Sequence, residues 1–232
     1  MAAMTKPLFV FDLDGTLVDS APDLVGALNA ALALEDLAPL GVDEVRMMVG
    51  RGARVLLRRG LSSRGREVAD GRFEELTSAF LTHYERHIAD HSSIYPDVER
   101  VLGELEEAGH TLAVCTNKPE HLSLLLLDAL GMRNRFAAIC GADTFSGRKP
   151  DPVHLLGTIE RAGGLRESAV LIGDSPTDRE AARNAAVPCV LLDYGYSDVD
   201  VRDLDAEAVI SHFADVPAAA AQALAVKVAA AK

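Results

Sequence analysis

The chain lacks any apolar run near the roughly 20 residues that a membrane-spanning helix needs. Its opening residues carry no signal-peptide pattern, because the only apolar run there, Leu8–Phe11, is far too short. A membrane partner is therefore not expected. Basic excess is missing too: 23 Lys and Arg stand against 35 Asp and Glu, a net charge of −12. Phosphate backbones demand a basic face, so no nucleic-acid partner is expected either. Cysteine is scarce, and three thiols cannot all pair within one chain. Cys115, Cys140 and Cys189 each sit in an apolar run, which predicts buried free thiols and a reducing, cytoplasmic setting. There is no internal repeat, low-complexity linker or charged tail, and nothing in the pattern speaks to oligomeric state.

What is present is enough to build a core. The 232 residues are 49% apolar and 25% charged, which suits one large domain or two modest ones. Short apolar runs without polar alternation recur at 8–11, 111–115, 137–140, 169–172, 189–192 and 208–210. Strands buried on both faces read this way. Helix-like segments lie between them at 97–108, 119–130, 152–162 and 177–185, and an Ala-rich stretch at 218–230 predicts a last helix. Pro119, Pro152 and Pro176 stand where helices begin, where a missing N–H costs little. Strand alternating with helix predicts an α/β fold, a Rossmann-like parallel sheet covered on both sides. From about residue 20 to 90 only helical periodicity is found. The expected organisation is a core formed by 1–18 and 91–232, with a helical cap inserted at 19–90 over the end of the first strand.

The chemistry concentrates at predicted strand ends. The stretch "LFVFDLDGTLVDS" runs four apolar residues into Asp12 and Asp14. Ligands of parallel α/β sheets gather at the carboxyl ends of strands. Residues two apart on an extended chain face the same way, so both carboxylates point into one crevice. There they repel unless a cation intervenes or one takes up a proton. "VCTNKP" puts Thr116 and Asn117 past the second long strand, "GRKPDP" puts Lys149 in a loop, and "LIGDSPTD" supplies Asp174 and Asp178. Carboxylates from two strands plus water make a hard oxygen site suited to Mg²⁺. A lysine and a hydroxyl can hold phosphoryl oxygens, one carboxylate can attack phosphorus, and a second can move protons.

These four stretches, in this order and spread over residues 12–178, resemble the motifs of the haloacid dehalogenase-like phosphatases. That family also places a helical cap where this chain has its insertion. Finer stretches, "FDLDGTLVDSAPDL", "VGRGARVLLRRGL", "YPDV" and "KPDPVHLL", are similar to the phosphoglycolate phosphatase subgroup. The resemblance implies that Asp12 is the nucleophile and forms an aspartyl-phosphate, while Asp14 protonates the leaving alcohol and then activates water. It implies Mg²⁺ held by the Asp12 carboxylate, the Asp14 main-chain carbonyl and the Asp174 carboxylate. Thr116, Asn117 and Lys149 would bind the phosphoryl, and Asp178 would orient the metal's waters. The implied substrate is a small phosphorylated metabolite such as 2-phosphoglycolate. A phosphosugar phosphatase or mutase and a pyrophosphatase are the enzymatic alternatives. A phospho-accepting signalling domain is the non-enzymatic one, and both Asp14 and the insertion weigh against it.

The cap holds an arginine-rich stretch, with eight arginines against four acids in residues 43–72. Arg51, Arg54 and Arg58 are spaced to share a helical face, and Arg51, flanked by glycines, is the expected contact to a substrate carboxylate; the competing reading is a solvated basic face. His83, His87 and His91 are spaced i, i+4, i+8, but the glutamate lies two residues after the first histidine and no fourth ligand is evident. A polar helix face is therefore preferred to zinc. Two departures from the family pattern touch backbone alone. Thr177 stands where relatives often have asparagine, and Ala186 stands where glycine commonly ends the helix.

Overall fold

The computed structural model describes residues 6–230. The first strand, β1 (Leu8–Phe11), leads into a two-residue strand, β2 (Val18–Asp19), and then four helices: α1 (Ala21–Ala33), α2 (Val42–Arg46), α3 (Ala53–Ser63) and α4 (Asp70–Arg86). A second short strand, β3 (Ser93–Ile94), returns antiparallel to β2, with Val18 opposite Ile94 and Asp19 opposite Ser93. Strand and helix then alternate: α5 (Val98–Glu107), β4 (Thr111–Cys115), α6 (Glu120–Ala129), β5 (Ala138–Cys140), α7 (Pro152–Arg161), β6 (Ala169–Gly173), α8 (Pro176–Ala185), β7 (Cys189–Leu192), β8 (Ala208–Ile210) and α9 (Val216–Ala230).

Six strands form one sheet in the order β5-β4-β1-β6-β7-β8, with every pair parallel. β1 is central, flanked by β4 and β6, so three strand ends converge on one crevice. Successive β1 residues serve opposite faces. Phe9 and Phe11 join Leu102, Leu105 and Ala220 of α5 and α9, whereas Leu8 and Val10 join Leu155, Ile159 and Ala181 of α7 and α8. That two-sided burial is why these strands read as unbroken apolar runs.

The helices between β2 and β3 keep their own apolar cluster, built on Leu28, Leu32, Leu57, Leu76, Phe80 and Tyr84. α6 serves both layers: Leu126 and Leu127 pack on the sheet, while Leu122 joins the helical cluster. Arg59 of α3 pairs with Asp198 at 3.0 Å, and Arg46 of α2 pairs with Asp19 at 2.6 Å, which ties the helical layer to the sheet layer. The Asp23 carboxylate on α1 accepts from the backbone N–H groups of His91 and Ser92 and from the Ser92 hydroxyl, pinning the return of the chain.

Local signals explain the helix ends at the site. α8 opens with a reciprocal box between Ser175 and Asp178, and Asp151 caps α7 by accepting from the Val153 N–H. α8 closes with Ala186 in the left-handed region, φ 52° and ψ 44°, with its N–H on the Arg183 carbonyl and the Val187 N–H on the Ala182 carbonyl. The alanine thus adopts the conformation a glycine would take there. Two expectations are corrected. Helix α3 begins at Ala53 behind Gly52, whose φ is +88°, so Arg51 precedes the helix and does not share the face of Arg54 and Arg58. α4 ends at Arg86, so His91 is not on the helical face of His83. No helix among the described residues is long and apolar enough to cross a membrane.

Candidate active site

Asp12 follows β1 directly, its N–H continuing the ladder to the Ile172 carbonyl at 2.9 Å. Its Oδ1 accepts from the Leu13 N–H at 2.7 Å and lies 2.9 Å from Lys149 Nζ in an ion pair. Oδ2 receives no hydrogen bond from the described residues. Gly15 then turns the chain at φ +88°, and a Cβ there would collide with the Asp174 carboxylate. Asp174, at the end of β6, accepts from the Thr16 hydroxyl at 2.7 Å and from the Tyr196 N–H at 2.6 Å. The loop after β1 and the end of β6 are therefore locked together through one carboxylate.

Lys149 is buried between two carboxylates. Its ammonium donates to Asp178 at 2.6 Å and forms an ion pair with Asp12 at 2.9 Å. Its backbone N–H donates to Nδ1 of buried His154 at 3.1 Å, and His154 Nε2 faces the Cys140 carbonyl at 3.3 Å. Burial, and then the Lys149 charge, push His154 down to about 4, so a neutral ring accepts on one nitrogen and donates on the other. Asp178 is equally committed: Oδ1 takes Lys149, and Oδ2 takes the Ser175 hydroxyl at 2.6 Å and the Ser175 N–H at 3.1 Å.

Charge at this point is unbalanced. Ligand oxygens of Asp12, Asp174 and Asp178 all lie within 4.8 Å of one another, and all three residues are buried. Burial pushes Asp12 up to about 7 against the opposing Lys149 charge, with Asp178 adding to the rise. Burial, then Asp178 and Asp12, push Asp174 well above its ordinary value. Burial works against the Lys149 charge, but Asp12 and Asp178 more than offset it and hold the ammonium protonated. Three carboxylates against one ammonium leave room for a further positive charge, and an all-oxygen donor set fits a hard divalent cation such as Mg²⁺.

Asp14 does not join that cluster. Its Oδ1 accepts from the Ser20 hydroxyl at 2.5 Å, and Lys118 Nζ donates to its two oxygens at 2.7 and 2.8 Å. The side chains of this pair are 4% and 12% exposed, so the pairing is little screened. Lys118 was not picked out from the sequence. Its neighbours in "TNKP" explain why it reaches Asp14: Thr116 Oγ1 accepts from the Lys118 N–H at 3.2 Å, folding the chain just past β4. The Thr116 hydroxyl finds no acceptor for its own proton among the described residues. Asn117 Nδ2 donates to the Lys149 carbonyl at 3.0 Å and to the Gly50 carbonyl at 3.3 Å, bracing the lysine loop against the helical layer.

Asp12, Asp14, Thr116, Asn117 and Lys118 line one side of a cavity of about 40 Å³. The helical layer supplies the opposite wall, largely apolar, from Leu24, Leu56, Phe80 and Tyr84. Arg51 is exposed and is not among the lining residues. The other arginines of its stretch are occupied. Arg54 pairs with Glu74 at 2.6 Å, Arg64 with Glu44 at 3.5 Å and Arg72 with Glu35 at 2.7 Å, while Arg58 lies over the Phe73 ring. The structure thus gathers Asp12, Asp174, Asp178, Lys149, Asp14, Thr116 and Asn117 at one strand-end crevice and leaves Arg51 outside it.

The sequence profile of haloacid dehalogenase-like hydrolases matches residues 9–192, from β1 through β7. The chain belongs to this family. Among haloacid dehalogenase-like hydrolases it is 47% identical over 209 residues to the phosphoglycolate phosphatase of Agrobacterium fabrum, covering 90% of each chain. It is 49% identical over 209 residues to that of Caulobacter vibrioides, covering 90% of this chain and 88% of the relative. The crystal structure of a predicted phosphoglycolate phosphatase from Haemophilus somnus superposes with a TM-score of 0.87 at 31% identity, covering 93% of this chain and 99% of that one. The match runs through every strand end that carries a site carboxylate.

Proposed function

We propose that this hydrolase releases phosphate from 2-phosphoglycolate through an aspartyl-phosphate on Asp12. The observation that carries the reading is the asymmetry of Asp12: Oδ1 accepts from the Leu13 N–H, Oδ2 accepts no hydrogen bond from the described residues, and the residue lines a cavity that Asp14 also lines. An oxygen without a donor is the more nucleophilic of the two. In the first step a bond forms from Asp12 Oδ2 to phosphorus and the ester P–O bond breaks. Asp14 enters this step as the carboxylic acid, one oxygen turned from the Lys118 ammonium to the ester oxygen, and gives the departing alcohol its proton. In the second step water adds to phosphorus, Asp14 takes the proton, and the bond to Asp12 breaks to release phosphate.

Phosphoryl transfer rests on positioning and on stabilising spread negative charge. Lys149 keeps protons for a phosphoryl oxygen beside the one it gives Asp178, and the Thr116 hydroxyl has its own. Asn117 holds the Lys149 loop in place. Mg²⁺, held by Asp12 and Asp174 and with the Asp14 carbonyl as a further oxygen donor, would add positive charge against the phosphoryl oxygens. Asp178 fixes Lys149 and the turn that carries Asp174. In this reading 19–90 is the cap and 1–18 with 91–232 the core, of which residues 1–5 and 231–232 lie outside the described residues. The separate apolar cluster of the helices supports that division.

The substrate assignment is supported by the names of the relatives, phosphoglycolate phosphatases at 47% and 49% identity. The test is Mg²⁺-dependent phosphate release across 2-phosphoglycolate, sugar phosphates, nucleoside monophosphates and pyrophosphate. 2-Phosphoglycolate is expected to lead in kcat/KM, and Asp12→Asn is expected to abolish turnover of all of them with an unchanged circular dichroism spectrum. Residual turnover by Asp12→Asn would remove the nucleophile, and a leading sugar phosphate would remove the substrate.

A further inference from the structure

Three buried side-chain polar atoms among the described residues have no hydrogen-bond partner: Tyr84 Oη, His110 Nδ1 and Asn117 Oδ1. His110 lies just before β4, at the far end of the sheet from the site, with its ring 5.1 Å from Phe9. Tyr84 and Asn117 line the cavity in front of Asp12. Tyr84 is 1% exposed and is embedded in the apolar cluster of the helical layer. A buried hydroxyl without a partner is destabilising, and phenylalanine would fill the same space without that cost. Packing explains the ring; the oxygen has the Lys118 ammonium as a charged neighbour but no hydrogen bond.

The neighbour of that ring is charged. Lys118 Nζ lies 4.6 Å from the Tyr84 ring centroid, while two of its three protons are on Asp14. A phenol donor and an ammonium with one free proton thus stand together in a wall otherwise formed by leucine and phenylalanine. Within hydrogen-bonding reach of both, an acceptor bearing negative charge would be held, and a methyl group would not. No arginine of the helical layer lines the cavity to do the same.

We propose that Tyr84 is the residue that selects the leaving group: its hydroxyl donates to a carboxylate oxygen of a small phosphorylated acid, and Lys118 gives its remaining proton to the same carboxylate. This rests on the phosphatase reading above. It also places the recognition contact on the lysine that holds Asp14, so the carboxylate is read beside the group that protonates the ester oxygen.

The experiment compares 2-phosphoglycolate with ethyl phosphate, which shares its ester and its two carbons but lacks the carboxylate. The readout is the ratio of their kcat/KM values in wild type and in Tyr84→Phe. The ratio is expected to narrow by about 10-fold to 100-fold, chiefly through a raised KM for 2-phosphoglycolate. Thermal stability is expected to hold or rise, since an unpaired hydroxyl has gone. A merely structural role would lower both substrates together and leave the ratio in place. Narrowing of less than about fivefold overturns the assignment, whatever the melting temperature does. A wild-type enzyme with no preference for 2-phosphoglycolate over ethyl phosphate overturns the substrate reading and this inference together, and that result is read without the variant.

Discussion

Lys118 holds both carboxylate oxygens of Asp14, at 2.7 and 2.8 Å, across 104 residues of chain. The two residues belong to different strand ends, so the contact fastens the loop after β4 to the loop after β1. Burial works against the Lys118 charge, and Asp14 together with Tyr84 outweighs it, keeping the ammonium protonated. Breaking such a buried pair from one side leaves an uncompensated charge, at about 3 kcal/mol or more.

Lys118→Met is therefore expected to lower the melting temperature by roughly 6–12 °C and to cut kcat at least about tenfold. The double variant with Asp14→Asn should regain part of the stability, because no bare carboxylate remains, and should regain none of the turnover. Calorimetry on the two singles and the double checks this. Additive stability losses would show that the pair is not coupled.

Metal binding and pH should act together. Burial, against Lys149, raises Asp12 from 3.8 to about 7. Between those values the native carboxyl keeps a proton that the unfolded chain has released. Stability from this group without metal is then present at low pH and falls as pH rises towards 7. A cation bound by Asp12 and Asp174 requires them ionised, so its stabilisation is largest above that range. Saturating Mg²⁺ is expected to raise the melting temperature by about 5 °C or more near pH 8, and by about 1 °C or less near pH 5. Thermal scans with Mg²⁺ and with EDTA measure both, and equal shifts at the two pH values would count against the site.

The three cysteines are buried and free. Burial pushes the Cys115 thiol up to about 12, against the nearby Lys149 charge, and also raises Cys189, with Asp178 contributing. Thiolate is the reactive form. Native protein is expected to react with a disulfide reagent at least about 100-fold more slowly than the guanidinium-unfolded chain, which should release three equivalents. Rapid labelling of a native thiol would contradict the burial.

Ala186 ends α8 at φ 52°, and it is exposed. A Cβ in the left-handed region costs roughly 1–2 kcal/mol, part of which glycine returns through its freer unfolded chain. Ala186→Gly is expected to stabilise by about 0.5–1 kcal/mol, a rise of roughly 1–4 °C with activity retained. Denaturant titration gives the number, and a loss of stability would mean that the turn favours alanine for another reason.

The parallel sheet was legible because a strand buried on both faces must be apolar throughout, as Leu8–Phe11 and Ala169–Ile172 are. The carboxylates were legible because an abrupt charge after such a run has few structural uses. Lys118 was hidden because its partner is 104 residues away and only the fold brings the two together. Tyr84 was hidden because "AFLTHYERHI" is also the pattern of a helix packing its core face. Arg51 was misplaced because an i, i+3, i+7 spacing presumes a helix, and Gly50 and Gly52, both at positive φ, stop the helix short of it. The pair β2 and β3 has two residues in each strand, too few to show any period.

That pair has a consequence for how such an enzyme can change. Val18–Asp19 and Ser93–Ile94 run side by side, so the intervening helices leave the sheet and rejoin it at a single narrow neck. A segment whose two ends already touch can be lengthened, shortened or traded for another without rethreading any strand. The helical wall over the crevice can then drift through evolution while the carboxylates beneath it keep their places.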